Sequence, residues 1–279
     1  MKLKFLGTAA AEGVPAIFCS CQTCKSSGEL GGRNIRKRSS LLLDDKIMFD
    51  FNDALTFVHQ YQLDLSKLEH LVITHSHSDH FNIFDLEFKL RWYTNPGNPP
   101  LNIYANEKAL SRFDLTPEFA SWDKSKMELL QFHTVKRWQP FFIDQYKITP
   151  LAANHVTSYA GEETCIYVVE KDNKRFLYGL DSGFYPEETW EYLKSHYFHL
   201  MIFDSTLGLL DIKERTNHMS LAENVEVVEI LRKSGSIDEN SVLISTHFSH
   251  NGRVVYDLHE KTYKEHGLIM SYDGMEIVL

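Results

Sequence analysis

The stretch Leu71-Val-Ile-Thr-His-Ser-His-Ser-Asp-His80 is the most informative part of this sequence. An apolar run that predicts a buried strand passes directly into three histidines and one aspartate separated by serines. In extended backbone His75 and His77 project to the same side, because side chains alternate with a period of two. As the chain turns, Asp79 and His80 face a second point nearby. Imidazole and carboxylate groups bind Zn²⁺ and similar ions strongly, so the run predicts two adjacent metal sites at a strand end.

Further ligand-type residues follow other predicted strands. They are Asp181 after Phe176–Leu180, Asp204 after Leu200–Phe203, His247 after Val242–Thr246, and His155 shortly after an apparent strand around Ile148–Leu151. Strand ends are where α/β proteins build sites, which disfavours the alternative that His75–His80 is only a solvated loop. The repetition predicts that these strand ends converge at one edge of the fold.

The composition is that of an ordinary globular protein. Hydrophobic residues make up 43% and charged residues 24% of the 279 residues, which argues against disorder. The formal charge of -9 argues against broad nucleic-acid binding, because Lys and Arg supply most of that affinity by neutralising phosphates. No apolar run approaches the ~20 residues that cross a bilayer, and Met1–Thr8 has the length of a short strand rather than a signal peptide. We therefore predict a cytoplasmic protein with no membrane partner.

Short apolar runs alternate with helical patterns, which predicts one mixed α/β domain with packed sheets over residues 1–279. Apolar residues recur at helical spacing over Ile83–Tyr93, and Ser220–Glu223 has the pattern of a capping box at the start of a helix. The predicted strands are Lys2–Leu6, Ser40–Leu43, Lys46–Asp50, Leu71–Thr74, Leu101–Ala105, Cys165–Glu170, Phe176–Leu180, Leu200–Phe203, Val242–Thr246 and Glu276–Leu279.

Residues 111–147 show no clear period, although they contain Trp122, Trp138 and several phenylalanines. Irregular core packing is the interpretation we favour. A lid or the surface of a homodimer is the alternative.

Three of the four cysteines, Cys19, Cys21 and Cys24, lie within six residues of a loop near positions 13–38. Thiolates at this spacing occupy three corners of a tetrahedral zinc site. The best candidate for the fourth ligand is His250, three residues beyond His247. A reduced cluster without metal, or a redox switch, is the alternative. Cys165 lies inside an apolar strand, where buried packing is its expected role.

The His-x-His-x-Asp-His run, followed in order by His155, Asp181 and His247, resembles the metallo-β-lactamase superfamily of hydrolases. The resemblance covers nearly the whole chain and implies a four-layer αββα sandwich with the site at one edge of the two sheets. It implies that Asp181 bridges two divalent metals. The other implied ligands are His75, His77 and His155 for the first metal and Asp79, His80 and His247 for the second. Redox members carry a glutamate at the position of His77, so hydrolysis is favoured.

The cysteine loop narrows the resemblance. Together with the His247-x-x-His250 ending, it is similar to the phosphoribosyl cyclic phosphodiesterase family of the carbon–phosphorus lyase pathway. That family implies one structural zinc on Cys19, Cys21, Cys24 and His250, and the Asn217-His218 pair resembles its segment with a catalytic histidine. A protein of pyrroloquinoline quinone biosynthesis has a similar loop, so the loop defines a subgroup rather than a substrate.

The resulting hypothesis is a dinuclear phosphodiesterase that acts on a small anionic, plausibly cyclic, phosphate ester through a metal-bridging hydroxide. Asp79 and His218 are the predicted catalytic residues, with His218 as general acid. Zn, Mn and Fe all suit the ligands. Three alternatives are hydrolysis of a thioester, lactone or β-lactam, RNA processing, and a non-catalytic zinc-binding protein.

Two further features have two interpretations each. The basic run Arg33–Arg38 is predicted as a solvated or ion-paired loop, with contact to substrate phosphate as the alternative. Asp204 either orients a ligand histidine through a hydrogen bond or is a structural carboxylate.

Overall fold

The computed structural model describes residues 1–90, 93–95, 97–120, 127–212 and 215–279, and within them the chain forms two seven-stranded sheets. In spatial order the first sheet consists of Glu276–Val278 (β14), Lys2–Gly7 (β1), Ser40–Leu43 (β2), Ile47–Phe49 (β3), His70–Val72 (β4), Leu101–Ala105 (β5) and Leu130–Thr134 (β6). The second consists of Ile269–Met270 (β13), Val242–Thr246 (β12), Leu200–Asp204 (β11), Lys174–Gly179 (β10), Cys165–Lys171 (β9), Tyr146–Ala152 (β8) and Phe141–Ile143 (β7).

Helices lie between the strands. The α-helices of the described residues are Gln22–Leu30 (α1), Ala54–Tyr61 (α2), Glu107–Leu115 (α3), Pro117–Ala120 (α4), Glu187–Lys194 (α5), Leu221–Ser234 (α6) and Tyr256–Glu265 (α7). Within the described part of the chain, none of them combines the length and the apolar composition needed to span a bilayer.

The alternation of side chains along each strand creates four layers. Leu41 and Leu43 of β2 pack in the core between the two sheets, with Ile202 of β11 among their neighbours in that cluster. Leu42 faces the other way and packs in a cluster with Phe57 of α2. Side chains of the second sheet likewise alternate between the core that the two sheets share and a third cluster, which packs against α5, α6 and α7. The predicted αββα sandwich is therefore confirmed.

The parallel part of each sheet positions the site. In the first sheet β3, β4, β5 and β6 are parallel neighbours, and in the second β10, β11, β12 and β13 are. The carboxyl ends of parallel strands meet at one edge of a sheet. The residues after β4, β10, β11 and β12 are therefore brought together, as the recurring strand-end ligands predicted, and the residue after β3 joins them.

The region 111–147 is more regular than expected. It contains the end of α3, α4, β6, β7 and the start of β8, and β6 and β7 are the outermost strands of their sheets. An outermost strand is only partly covered, so hydrophobic alternation is weak there. In β6, for example, only Leu130 is buried. Trp122 lies outside the described residues.

One of the two helix predictions is confirmed, and the other differs in the type and length of the helix. The side chain of Ser220 accepts from the Glu223 backbone N–H and the Glu223 carboxylate accepts from the Ser220 N–H, so the capping box is present at the start of α6. The helix predicted over Ile83–Tyr93 is a 3₁₀ helix over Ile83–Lys89. Its Ile83 and Leu86 are buried, whereas Tyr93 is exposed.

Candidate metal centre

Three residues of the candidate site, two aspartates and one histidine, have a backbone conformation in the left-handed region. Asp50, Asp181 and His247 have φ of 59°, 49° and 62°, each within two residues of the end of a strand. Such backbone costs on the order of 1–3 kcal/mol for a residue other than glycine, and it clusters at functional sites. The turns direct these side chains toward the His75–His80 loop, as the distances below show.

A first cluster joins three histidines and one aspartate. His75 Nε2 lies 2.9 Å from His77 Nδ1, and His155 Nε2 lies 3.3 Å from the same His77 atom. Asp181 Oδ2 is 3.3 Å from His75 Nε2 and 3.9 Å from His155 Nε2. One ligand atom from each of these four residues falls within 4.8 Å of all the others.

A second cluster shares Asp181. His80 Nε2 lies 2.7 Å from Asp181 Oδ2 and 3.2 Å from Asp79 Oδ2. His247 Nε2 is 3.3 Å from His80 Nε2. All four residues, Asp79, His80, Asp181 and His247, are buried and also meet the 4.8 Å limit. The seven residues predicted as ligands are thus brought into two adjoining groups with one common carboxylate.

The donor set fits two divalent cations. Burial lowers the pKa of His75 well below its ordinary value and also lowers the pKa of His155, which favours the neutral imidazole that binds metal. The Nε2 atoms of both rings face His77 Nδ1. Asp181 Oδ1 is buried and accepts no hydrogen bond. Buried polar atoms are rarely left without a partner, so this oxygen is available to a ligand.

Asp50 is a functional residue that the sequence analysis missed. Its fully buried carboxylate lies 2.8 Å from His80 Nδ1, and it also accepts hydrogen bonds from Thr74 and Tyr178. A carboxylate on the far nitrogen of a ligand histidine fixes the tautomer and the ring orientation. Burial opposes protonation of His80, but Asp181, Asp79 and Asp50 outweigh it and raise the pKa of that ring. The signal was present, because Asp50 follows β3 as the other site residues follow their strands.

His218 and Asp204 form a pair beside the two clusters. His218 Nδ1 donates to Asp204 Oδ2 at 3.0 Å and lies 3.5 Å from Asp181 Oδ1. Asp204 is fully buried, whereas 26% of the His218 side chain is exposed. Burial of the ring works against protonation, but Asp204 and Asp181 raise the pKa of His218 to about 9. Asp204 therefore contacts His218, which is not one of the predicted ligands, and it also accepts hydrogen bonds from the Thr206 and Met219 N–H groups, as a structural carboxylate does.

The Asn217-His218 segment also positions His155. The Asn217 carbonyl lies 3.3 Å from His155 Nδ1, and its side-chain oxygen accepts from the Val156 N–H. With Nδ1 donating, His155 Nε2 is left as the ligand atom. Gly183 permits the approach of this segment to the turn after Asp181, because a Cβ there would lie 2.5 Å from the Thr216 carbonyl carbon.

The predicted cysteine site is assembled as a separate group. Sγ of Cys19 and Sγ of Cys21 lie 3.4 and 3.5 Å from His250 Nδ1, and Cys24 completes a set within 4.8 Å. Backbone N–H groups of Ala16 and Cys21 point at the sulfurs of Cys24 and Cys19. A backbone hydrogen bond from Cys24 lowers the pKa of Cys21 to about 6, which favours the thiolate. Four convergent N and S donors fit a closed structural zinc site.

Replacing Cys21 tests this site separately from the first. We expect Cys21→Ser to lose about one zinc per chain and to lower the melting temperature clearly, because binding of a structural zinc contributes directly to folding. Metal analysis of the purified variant and thermal unfolding are the measurements. The control is Cys165→Ala, since Cys165 is buried away from the cysteine loop. A Cys21→Ser protein with the zinc content of the Cys165→Ala control would contradict the assignment.

Each basic residue of the run near the cysteine loop contacts a partner within the protein. Arg36 is only 3% exposed and donates to Thr8 Oγ1 and the Ser271 carbonyl, both at 2.7 Å. The other three bases also have partners: Arg33 lies over the Tyr272 ring, Lys37 pairs with Asp273 and Arg38 pairs with Asp53. The ion-paired interpretation is correct for Lys37 and Arg38. The solvated one is wrong for Arg36, which is buried.

The architecture is similar to that of known proteins. Residues 48–248 match the family described as the Beta-lactamase superfamily domain. No protein of curated function matches the chain in sequence.

Solved structures match nearly the whole chain. Zn²⁺-bound PqqB from Methylobacterium extorquens has a TM-score of 0.77 at 16% identity and covers 100% of both chains. A diphosphatase from the PhnP family has a TM-score of 0.72 at 22% identity and covers 99% of this chain and 96% of that one. The short form of human tRNase Z has a TM-score of 0.64 at 19% identity, with 100% and 99% covered. At these identities the likeness shows a shared fold.

Proposed function

This chain belongs to the β-lactamase superfamily and has the metallo-β-lactamase sandwich. From that premise we propose that it is a dinuclear metal-dependent phosphodiesterase acting on a small phosphate ester, cyclic esters included. The observation that carries the proposal is the sharing of Asp181 between two ligand clusters, directly beside the His218–Asp204 pair. Two cations held by one carboxylate suit an anionic substrate with two or more charged oxygens.

His75, His77 and His155 would hold one metal and Asp79, His80 and His247 the other, with Asp181 between them. Bound there, the metals supply Lewis acidity toward the phosphoryl group and lower the pKa of the attacking water. Asp50 orients His80, and the Asn217 carbonyl orients His155. These contacts keep the ligand rings in place before substrate arrives.

His218 would protonate the leaving oxygen. Asp204 holds its Nδ1, so Nε2 is the nitrogen left to deliver a proton, and the Asp204 carboxylate counteracts the effect of burial and raises the pKa of the ring. It is also the more exposed member of the pair, which suits contact with substrate. General acids in such positions typically contribute 10²–10⁴-fold.

The substrate class rests on charge and on comparison. The likeness to a diphosphatase from the PhnP family supports a phosphate substrate. Arg36 is buried and Lys37 and Arg38 are ion-paired, which leaves Arg33 as the exposed base of this run, and the net charge is -9. We therefore propose a small anionic ester rather than an RNA, with zinc or manganese in the dinuclear site and one zinc in the cysteine site.

Removing and restoring metal tests the proposal. We expect chelator-treated protein to lose hydrolysis of bis(p-nitrophenyl) phosphate and of a five-membered cyclic phosphate, and Zn²⁺ or Mn²⁺ to restore it, because the proposed nucleophile is a water activated by the metals. The measurement is the rate with each metal across a panel of phosphodiesters, thioesters and lactones. Turnover of acyl substrates alone would favour the acyl-hydrolase alternative.

One observation favours a second candidate, a non-catalytic zinc-binding protein. The PqqB structure is zinc-bound and matches the full length of this chain. This candidate predicts tight metal binding with no turnover of any panel substrate, and binding without turnover would therefore replace the first proposal. The His218–Asp204 pair argues for catalysis, because a purely structural site has no need of a partly exposed histidine held by a buried carboxylate.

A further inference from the structure

Glu162 is a half-buried acidic residue that does not belong to either ligand cluster, yet its carboxylate contacts three separate segments. Oε1 accepts from the Ser76 N–H at 2.8 Å and from Asn106 Nδ2 at 2.9 Å. Oε2 accepts from the Ser76 hydroxyl and, at 2.6 Å, from Thr157 Oγ1. One side chain thus satisfies four donors.

Two of these segments carry ligands of the first cluster. Ser76 lies between His75 and His77, and Thr157 lies two residues after His155. Glu162, which lies 86 positions after Ser76, therefore ties the histidine loop to the segment that supplies the third histidine.

Arg112 holds the same loop from the other side. Its guanidinium Nη1 donates to the Ser76 carbonyl at 2.8 Å and to the Phe81 carbonyl at 2.5 Å. Together Arg112 and Glu162 satisfy the backbone N–H, the backbone carbonyl and the hydroxyl of Ser76. Asn106 joins the two, because its Oδ1 caps α3, the helix that carries Arg112, while its amide binds Glu162.

We propose that Glu162, with Arg112, is a positioning residue that sets the spacing between His155 and the His75–His77 pair and thereby the metal affinity of the first site. The inference rests on the proposed function, because it assumes a metal in that cluster. Charge-assisted hydrogen bonds are among the stronger ones, and the Glu162 carboxylate makes two with Ser76 of the histidine loop and one with Thr157 of the His155 segment. Ligands fixed in advance bind metal without the cost of ordering them.

The test is the zinc affinity of the metal-free protein, measured by competition with a chromogenic chelator. We expect Glu162→Ala to weaken zinc binding at the His/Asp centre by about 10–100-fold, the effect typical of losing a partner of the ligands. The zinc of the cysteine site, which Glu162 does not contact, is an internal reference. Glu162→Gln, which retains an acceptor for the Ser76 N–H, is expected to recover part of the affinity.

Two more variants keep the test decisive. Glu163→Ala removes the neighbouring exposed carboxylate and matches the change in charge, so we expect wild-type zinc affinity. If Glu162→Ala does not fold, Thr157→Val removes the link between Glu162 and the His155 segment, together with the local hydrogen bonds between Thr157 and the Tyr159 backbone, and is expected to weaken zinc binding. Glu162→Ala and Thr157→Val proteins with wild-type zinc affinity, or with only a lower melting temperature, would overturn the proposal. Absence of phosphodiester turnover in the wild type would refute the proposed function and leave this zinc measurement unaffected.

Discussion

Asp181→Asn is expected to reduce phosphodiester hydrolysis by about a thousandfold or more, since metal-ion catalysis supplies several kcal/mol of charge stabilisation and each 1.36 kcal/mol is about tenfold. Asp181 is the residue common to both ligand clusters. The amide has the same size but no charge, so cations held by the two clusters would lose the carboxylate that the clusters share. The measurements are the rate with bis(p-nitrophenyl) phosphate and the metal content per chain, which we expect to fall along with the rate.

The matched control is Asp172→Asn. Asp172 lies in the exposed turn between β9 and β10, where its backbone is left-handed. We expect asparagine to be tolerated there, because Asp and Asn both adopt this conformation. This variant should keep wild-type metal content and activity. An Asp181→Asn protein that still bound both metals and turned over substrate would show that Asp181 is not a shared ligand.

His218→Ala is expected to act on the leaving group rather than on the metals. For a phosphodiester with an alkoxide leaving group, such as a cyclic sugar phosphate, we expect a loss of about 10²–10⁴-fold, the usual contribution of a general acid. For bis(p-nitrophenyl) phosphate the loss should be much smaller, because nitrophenolate departs without a proton. The measurement is the ratio of the two rates in variant and wild type, at unchanged metal content.

The control for this prediction is His266→Ala, which removes an exposed histidine after α7. Equal losses for both leaving groups would assign His218 to substrate binding or to the metal site instead of proton transfer. If His218→Ala abolished phosphodiester turnover but kept acyl turnover, the site would have two activities, and only the first would need His218.

The clustering of the seven His and Asp side chains was predictable because much of its signal is local. His75–His80 lie within six residues after an apolar run, and His155, Asp181 and His247 each follow a strand of their own. Strand and helix periods report which side chains share a face, and the capping box of Ser220–Glu223 depends on residues three apart. The metallo-β-lactamase resemblance then ordered these residues into two clusters.

Contacts between distant segments were decided only by the tertiary structure. No period or motif links Asp50 to His80, Glu162 to Ser76, or Arg36 to Ser271, which lie 30, 86 and 235 positions apart. The edge strands β6 and β7 were not predicted either, because strands that are only partly covered lose the alternation of hydrophobic and polar residues. The sequence by itself therefore determined which residues are able to bind metal. Packing of the two sheets decided which carboxylates and hydroxyls hold those residues in place, because such contacts depend on how strand ends meet in space rather than on the spacing of residues along the chain.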